Sequence, residues 1–171
     1  MSLRNITIAL LMIIGSFLIA GCGPKRPDGI PAIYPAKVTV KNGASPIAGA
    51  NVFLVYQGTA SGSWSVNGVT DASGVAEITT SQGDWKSKGA PEGEYKIYIT
   101  KRPDVQEDPM PEEIKNDSDA MERFAAEQQR KLAAAPKVIP DTLANPATSP
   151  LTISVSTSGT AELTVDISEH Q

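Results

Sequence analysis

Apolar and polar positions follow three different rules along this chain. From Ile6 to Ala20 they barely alternate: Thr7, Gly15 and Ser16 are the interruptions in an apolar run of 15 residues. A membrane-crossing helix needs about 20 such residues, so this run has the length of the hydrophobic stretch of an export signal. From residue 37 the period becomes two. Segment 37–41 places Val38 and Val40 on one face. Segment 50–56 places Val52, Leu54 and Tyr56 together, and Phe53 and Val55 make its other face apolar too, as in a covered or central strand. Segments 64–70, 75–79, 94–100, 151–155 and 161–167 continue the series, with Tyr95, Ile97 and Ile99 sharing a face in 94–100. Turn signals separate them at Asn42-Gly43, Ser45-Pro46, Asp71 to Gly74 and Ser158-Gly159. Seven short strands punctuated in this way predict an all-β sandwich.

The third rule governs 103–136, which is charged and alanine-rich. Met121, Phe124, Ala125, Gln128 and Leu132 fall on one stripe at helical spacing, Asp119 and Glu122 stand at capping-box spacing, and Glu127 and Lys131 are four apart. Pro136 stops the run. The spacing predicts a helix over 119–134, an excursion between two strands. The proline-rich stretch 136–150 that follows is expected to lie extended along the domain. Segment 22–35, with Pro24, Pro27, Pro31 and Pro35 and no periodicity, is expected to be a tether. The domain proper is then 36–168, including the 103–136 insertion.

Behind the apolar run come Leu18-Ile19-Ala20-Gly21-Cys22. An aliphatic residue, two small ones and a cysteine in that order resemble the bacterial lipobox. The resemblance implies that residues 1–21 are a signal peptide, cleaved before Cys22. It implies that the Cys22 thiol carries a diacylglycerol as a thioether, and that the new amine takes a further acyl chain such as palmitate. Each buried CH₂ contributes about 0.8 kcal/mol, so two or three chains hold durably where one would not. The expected localisation is the cell membrane or outer membrane, lipid-anchored and facing the periplasm or exterior. Gly23 in place of an aspartate after the cysteine favours the outer membrane.

Composition then removes function classes. Loss of residues 1–21 takes away one of the 15 basic residues, Arg4, and none of the 19 acidic ones, which leaves the mature chain at −5. An acidic domain is a poor nucleic-acid binder, because affinity there comes from neutralising phosphates. Cys22 is the single cysteine and His170 the single histidine. No disulfide and no cysteine-type zinc site can form within the chain.

The order of short motifs adds a family. Val38-Thr39-Val40 leads through Ser45-Pro46-Ile47-Ala48-Gly49-Ala50-Asn51-Val52 to Thr70-Asp71-Ala72-Ser73-Gly74-Val75-Ala76, then to Gly93-Glu94-Tyr95-Lys96-Ile97. This series resembles the carboxypeptidase regulatory-like domain, of transthyretin-like or prealbumin-like fold. The likeness runs over 36–100 and more loosely over 137–168. It implies a seven-stranded Greek-key β-sandwich, generally non-catalytic and displayed on envelope or surface proteins.

Candidate chemistry is sparse. Asp71 could ligate calcium, but it stands where an aspartate caps its own turn, and a calcium loop needs several oxygen ligands at close alternate spacing. No metal ligand set and no cofactor site is expected. Asp104, Glu107, Asp108, Glu112 and Glu113 form an acidic cluster that could bind a cation or a basic partner, and equally reads as a solvated loop ahead of a helix N-terminus. A catalytic triad needs its base held in place; His170 lies one residue from the end. The transthyretin-like hydrolases of urate breakdown use several histidines and a C-terminal Tyr-Arg-Gly-Ser, and intradiol dioxygenases need paired His and Tyr iron ligands; neither set is present. Trp64 and Trp85 could stack on sugars, or simply cover the core. The expected role is therefore non-enzymatic: an envelope structural or interaction module, with a carbohydrate- or peptidoglycan-binding module and an accessory subunit of an envelope complex as alternatives. The expected partners are the membrane, through the acyl chains on Cys22, and an envelope protein or glycan.

Overall fold

The computed structural model describes residues 25–59, 63–105 and 108–170. The signal segment, Cys22 and Glu107 lie outside them. The chain is an all-β sandwich carrying one long helix. Its strands are β1 (Ile33–Tyr34), β2 (Ala36–Asn42), β3 (Ser45–Pro46), β4 (Asn51–Tyr56), β5 (Ser65–Val69) and β6 (Val75–Glu77), followed by β7 (Thr79–Gln82), β8 (Trp85–Lys88), β9 (Ala90–Pro91), β10 (Gly93–Thr100), β11 (Thr152–Val155) and β12 (Ala161–Asp166). One layer is a six-stranded sheet in the order β11-β10-β4-β5-β7-β8. The other is β12-β2-β3 with β6 also paired to β2, and β1 and β9 form a small ribbon beside them.

Period-two alternation explains the layers. On β10, Tyr95, Ile97 and Ile99 have no exposed surface, while the residues between them are partly open. Opposite them on β4 stand Tyr56, Leu54 and Val52. Ala36, Val38 and Val40 of β2 and Val165 of β12 close on these from the second sheet, forming one core. Each fully buried aliphatic side chain of this kind contributes about 1.5–3 kcal/mol. The pairing of β12 with β2 is parallel over six residue pairs, from Ala161 with Ala36 to Asp166 with Lys41. A parallel pair cannot be made by a hairpin. The first and last long strands therefore meet only after the chain has traversed both layers.

The structure refines several expectations. The segment read as a single strand over 75–79 breaks at Ile78, which is buried and where the chain passes from one sheet to the other. Its N–H donates to Ala36 O (3.0 Å), and its carbonyl accepts from Gly89 N–H (2.7 Å). Trp85, outside the seven segments read as strands, opens edge strand β8, whose partner is β7. Ile33 and Tyr34, expected in the tether, pair with Pro91 and Ala90, and Ile30 is buried just ahead of them.

The long helix α1 spans Ser118–Ala134. Its cap is Asp117 rather than Asp119: the Asp117 carboxylate accepts from Asp119 N–H (3.1 Å) and Ala120 N–H (3.0 Å). Asp117 has the extended backbone that a cap needs, whereas Asp119 already lies within the helix. The stretch 136–150 is not simply extended either. It contains a short helix, α2 (Asp141–Ala144), whose Leu143 is fully buried, and Ile139 accompanies it. The cause lies in the sheet: β11 pairs with β10 only from Gly93 to Lys96. Beyond that point β10 has no strand on this side, and Leu143 and Ile139 join the core there.

Leu143→Ala is expected to destabilise the domain by about 2–5 kcal/mol in urea unfolding. Leu132→Ala, on a helix without a buried residue, is expected to cost less than about 1 kcal/mol.

Candidate functional site

Trp64 and Trp85 belong to one row. Tyr95 stands opposite Tyr56. Leu54 stands opposite Val66 and Ser65 opposite Ser81, so the same register carried one step further sets Trp64 between Tyr56 and Gln82. Gln82 in turn pairs with Trp85. Opposed residues of antiparallel strands share a face. Tyr95, Tyr56, Trp64, Gln82 and Trp85 therefore cross the inner face of the six-stranded sheet at one end of the sandwich.

The rings interlock. Tyr56 lies 5.4 Å from Tyr95 in an edge-on arrangement and 5.7 Å from Trp64 at 58°. The Tyr95 hydroxyl donates to Pro91 O (2.8 Å), and burial, with a smaller contribution from Tyr56, pushes its pKa well above the ordinary tyrosine value. Gly58 and Gly93 flank the Tyr56 ring so closely that a Cβ on either would collide with it. Gln82 donates to the Ser63 hydroxyl. Trp64 Nε1 and Gln82 Oε1 are buried without a hydrogen-bond partner. Trp64 is thus held against Tyr56 and the core, while Trp85 ends the row on the edge strand. Tyr95, Tyr56 and Gln82 are the members missed in the sequence. The period-two patterns of 94–100 and 50–56 pointed to the two tyrosines; Gln82 becomes visible only through cross-strand register.

The charged candidates are engaged in local structure. One oxygen of Asp71 accepts from the Ser73 hydroxyl (2.6 Å), Ser73 N–H (2.8 Å) and Val75 N–H (3.0 Å). The Ser73 hydroxyl above all holds its carboxyl below the usual carboxylate range. Asp104 pairs with Lys101 (3.2 Å), Glu112 with Lys115, and Asp108 with Lys131 (2.7 Å). Asp108 also accepts from Gln128 (3.3 Å), and these contacts lower its pKa, Lys131 foremost. Glu113 is exposed in the 3-10 turn Glu112–Ile114, and His170 ends the 3-10 turn Ile167–His170. Among the described residues no three His, Cys, Asp or Glu side chains converge as a metal site.

Asp166 has the most strongly lowered carboxyl. It accepts from Gly43 N–H (2.8 Å), the Ser168 hydroxyl (2.7 Å) and Ser168 N–H (3.1 Å), with Lys41 at 3.4 Å. The Gly43 N–H is the largest cause. It ties the β2–β3 turn to the end of β12.

Helix α1 is the other prominent feature. Asp108 fastens the segment before it to Lys131 and Gln128. Between that segment and the helix runs an open groove of about 480 Å³, lined by Val105, Met110, Phe124, Gln128 and Leu132 among others. No helix among the described residues is long and apolar enough to cross a membrane.

No protein-family model matches the chain, and no curated protein matches it. Among solved structures it is similar to a crystal structure of BcpA, the major pilin subunit of Bacillus cereus, at 19% identity and a TM-score of 0.40. The match covers 80% of this chain and 30% of the pilin chain, so this chain spans less than a third of that subunit's length.

Asp166→Asn tests the clamp at the end of β12. A carboxyl lowered from its ordinary 3.8 stabilises the fold above that value and loses the contribution as pH falls through the lowered one. The variant is expected to melt at a lower temperature than the parent at pH 7 and to show a flatter loss of stability on acidification below about pH 4. Thermal unfolding followed across that range checks both.

Proposed function

We propose that this chain is a lipid-anchored, non-enzymatic β-sandwich of the cell envelope, related to the carboxypeptidase regulatory-like domains, and that it works by interaction with an envelope protein. The observation that carries the reading is helix α1. It is 17 residues long with none of them buried; it presents Phe124 and Leu132 to an open groove, and only its C-terminal end, at Leu132 and Ala133, also borders the sandwich, at Thr100, Ile139 and Ala144. A helix of that length in water draws most of its stability from an amphipathic face packed on something else. The anchor follows from Cys22 and the residues before it. The non-enzymatic part is supported by the use already made of the titratable groups: Asp71, Asp108 and Asp166 are shifted by their own turns and ion pairs, and Glu77 by Lys88 at 2.6 Å. The single histidine, His170, lies in the 3-10 turn Ile167–His170, and among the described residues no hydrogen bond joins it to a serine as a Ser-His pair requires.

Two measurements on intact cells test the reading. Cys22→Ala is expected to carry no acyl chain and to retain its signal segment. A photo-cross-linking residue at Gln128 is expected to give a discrete protein adduct that Leu132→Glu abolishes. Membrane retention of the processed Cys22→Ala chain would sink the anchor, and the absence of any adduct at α1 would sink the interaction role.

A further inference from the structure

The point at which the chain enters the sandwich fixes which end is held near the lipid. Ile33 pairs with Pro91, next to the start of β10 at Gly93. Gly93 pairs with Val155, the last residue of β11, and Ala161 N–H at the start of β12 donates to Pro35 O (2.9 Å). The 156–160 loop therefore lies at this entry end, as does the Gly83-Asp84 hairpin tip, because β7 and β8 meet there beside the start of β5. Within β1, Ile33 is nearer this end than Tyr34, and Ile30, three residues before it, lies within about 10 Å of it.

The opposite end carries different elements. Gly43 is bonded to Asp166, Val40 N–H donates to Gly74 O (2.8 Å), and Lys101 Nζ donates to Ala48 O (3.1 Å). The 43–44 turn, the 71–74 turn and the exit of β10 toward α1 all lie here.

Chain reach decides between the two ends. Ile30 is buried, and eight residue steps separate it from Cys22. Whatever their conformation, they span at most about 28 Å, and a flexible chain of that length averages about 16 Å. The eight-residue strand β10 is about 26 Å long. Standing the sandwich on its far end would lift Ile30 by nearly a full strand length and stretch those eight residues close to their limit. Standing it on its entry end leaves them slack.

We infer that the domain rests on the lipid surface by its entry end, with the Gly83-Asp84 tip and the 156–160 loop toward the headgroups and the 43–44 and 71–74 turns away from them. The inference rests on the lipid anchor at Cys22. The insertion that carries α1 then leaves β10 on the side open to partners, and the C-terminal end of α1 lies beside that exit at Thr100 and Lys101.

Thioether formation consumes the one native thiol, so an introduced cysteine is the sole reactive one. Asp84→Cys, Ser158→Cys, Ala44→Cys and Ala72→Cys all lie at exposed positions. Each full-length variant is labelled with an environment-sensitive fluorophore and reconstituted into phosphatidylcholine vesicles containing a nitroxide-headgroup lipid. Quenching at positions 84 and 158 is expected to exceed that at 44 and 72 severalfold. Equal quenching at both ends, or the reverse order, in protein that sediments with the vesicles overturns the orientation alone. Protein that stays in the supernatant overturns the anchor on which the orientation rests.

Discussion

Burial of Tyr95, Ile97 and Ile99 between the two sheets is the interaction on which the rest of this structure depends. These side chains of β10 meet Tyr56, Leu54 and Val52 within their own sheet, and β2 and β12 close over them. A strand buried along its inner face also needs both its edges occupied. β4 serves one edge from Tyr95 to Thr100, but β11 serves the other only from Gly93 to Lys96. The chain fills the remainder from its own insertion, with Ile139 and Leu143 entering the core where a strand is lacking. The excursion through α1 is thus bracketed by the core: it leaves at the end of β10 and returns to plug the edge of the same strand.

The same constraint separates α1 from the sandwich. α2 completes the core, and of the apolar stripe of α1 only Leu132 borders it, beside Thr100, Ile139 and Ala144. Met121, Phe124 and Leu132 stay half-exposed, and the segment at Val105, Asp108 and Met110 lines only one side of the groove. The interaction reading depends on this mismatch between a helix that is amphipathic and a core that is already full.

Strands with one buried face were legible in the sequence, because their period is set by burial. Segments 37–41, 50–56, 94–100 and 161–167 fall on β2, β4, β10 and β12 to within a residue or two. Edge pairing left no such trace. β7 and β8 consist of Thr79–Gln82 and Trp85–Lys88, polar on both faces apart from Trp85, and their hairpin is held by backbone bonds and by Thr80, whose hydroxyl donates to Gly89 O (2.7 Å). β1 and β9 are two residues each and hidden in proline-rich sequence. α2 was concealed by the prolines around it, although Ile139 and Leu143 at a spacing of four were a trace of its buried side. Of the candidate site, the aromatic residues were visible as types, but the row they form needed four pairings across five strands. The acidic cluster showed the opposite limit: composition grouped charges of which the fold pairs Asp104, Asp108 and Glu112 with three separate lysines.

The central claim, a β-sandwich held at a membrane by Cys22, is tested most directly by mass spectrometry of the N-terminal peptide of the protein extracted from the membrane fraction. The account predicts a peptide that begins at Cys22 and carries the mass of a diacylglycerol on sulfur together with an amide-linked acyl chain. A peptide that begins at Met1 or Ser2, or a Cys22 that remains a free thiol, would contradict it.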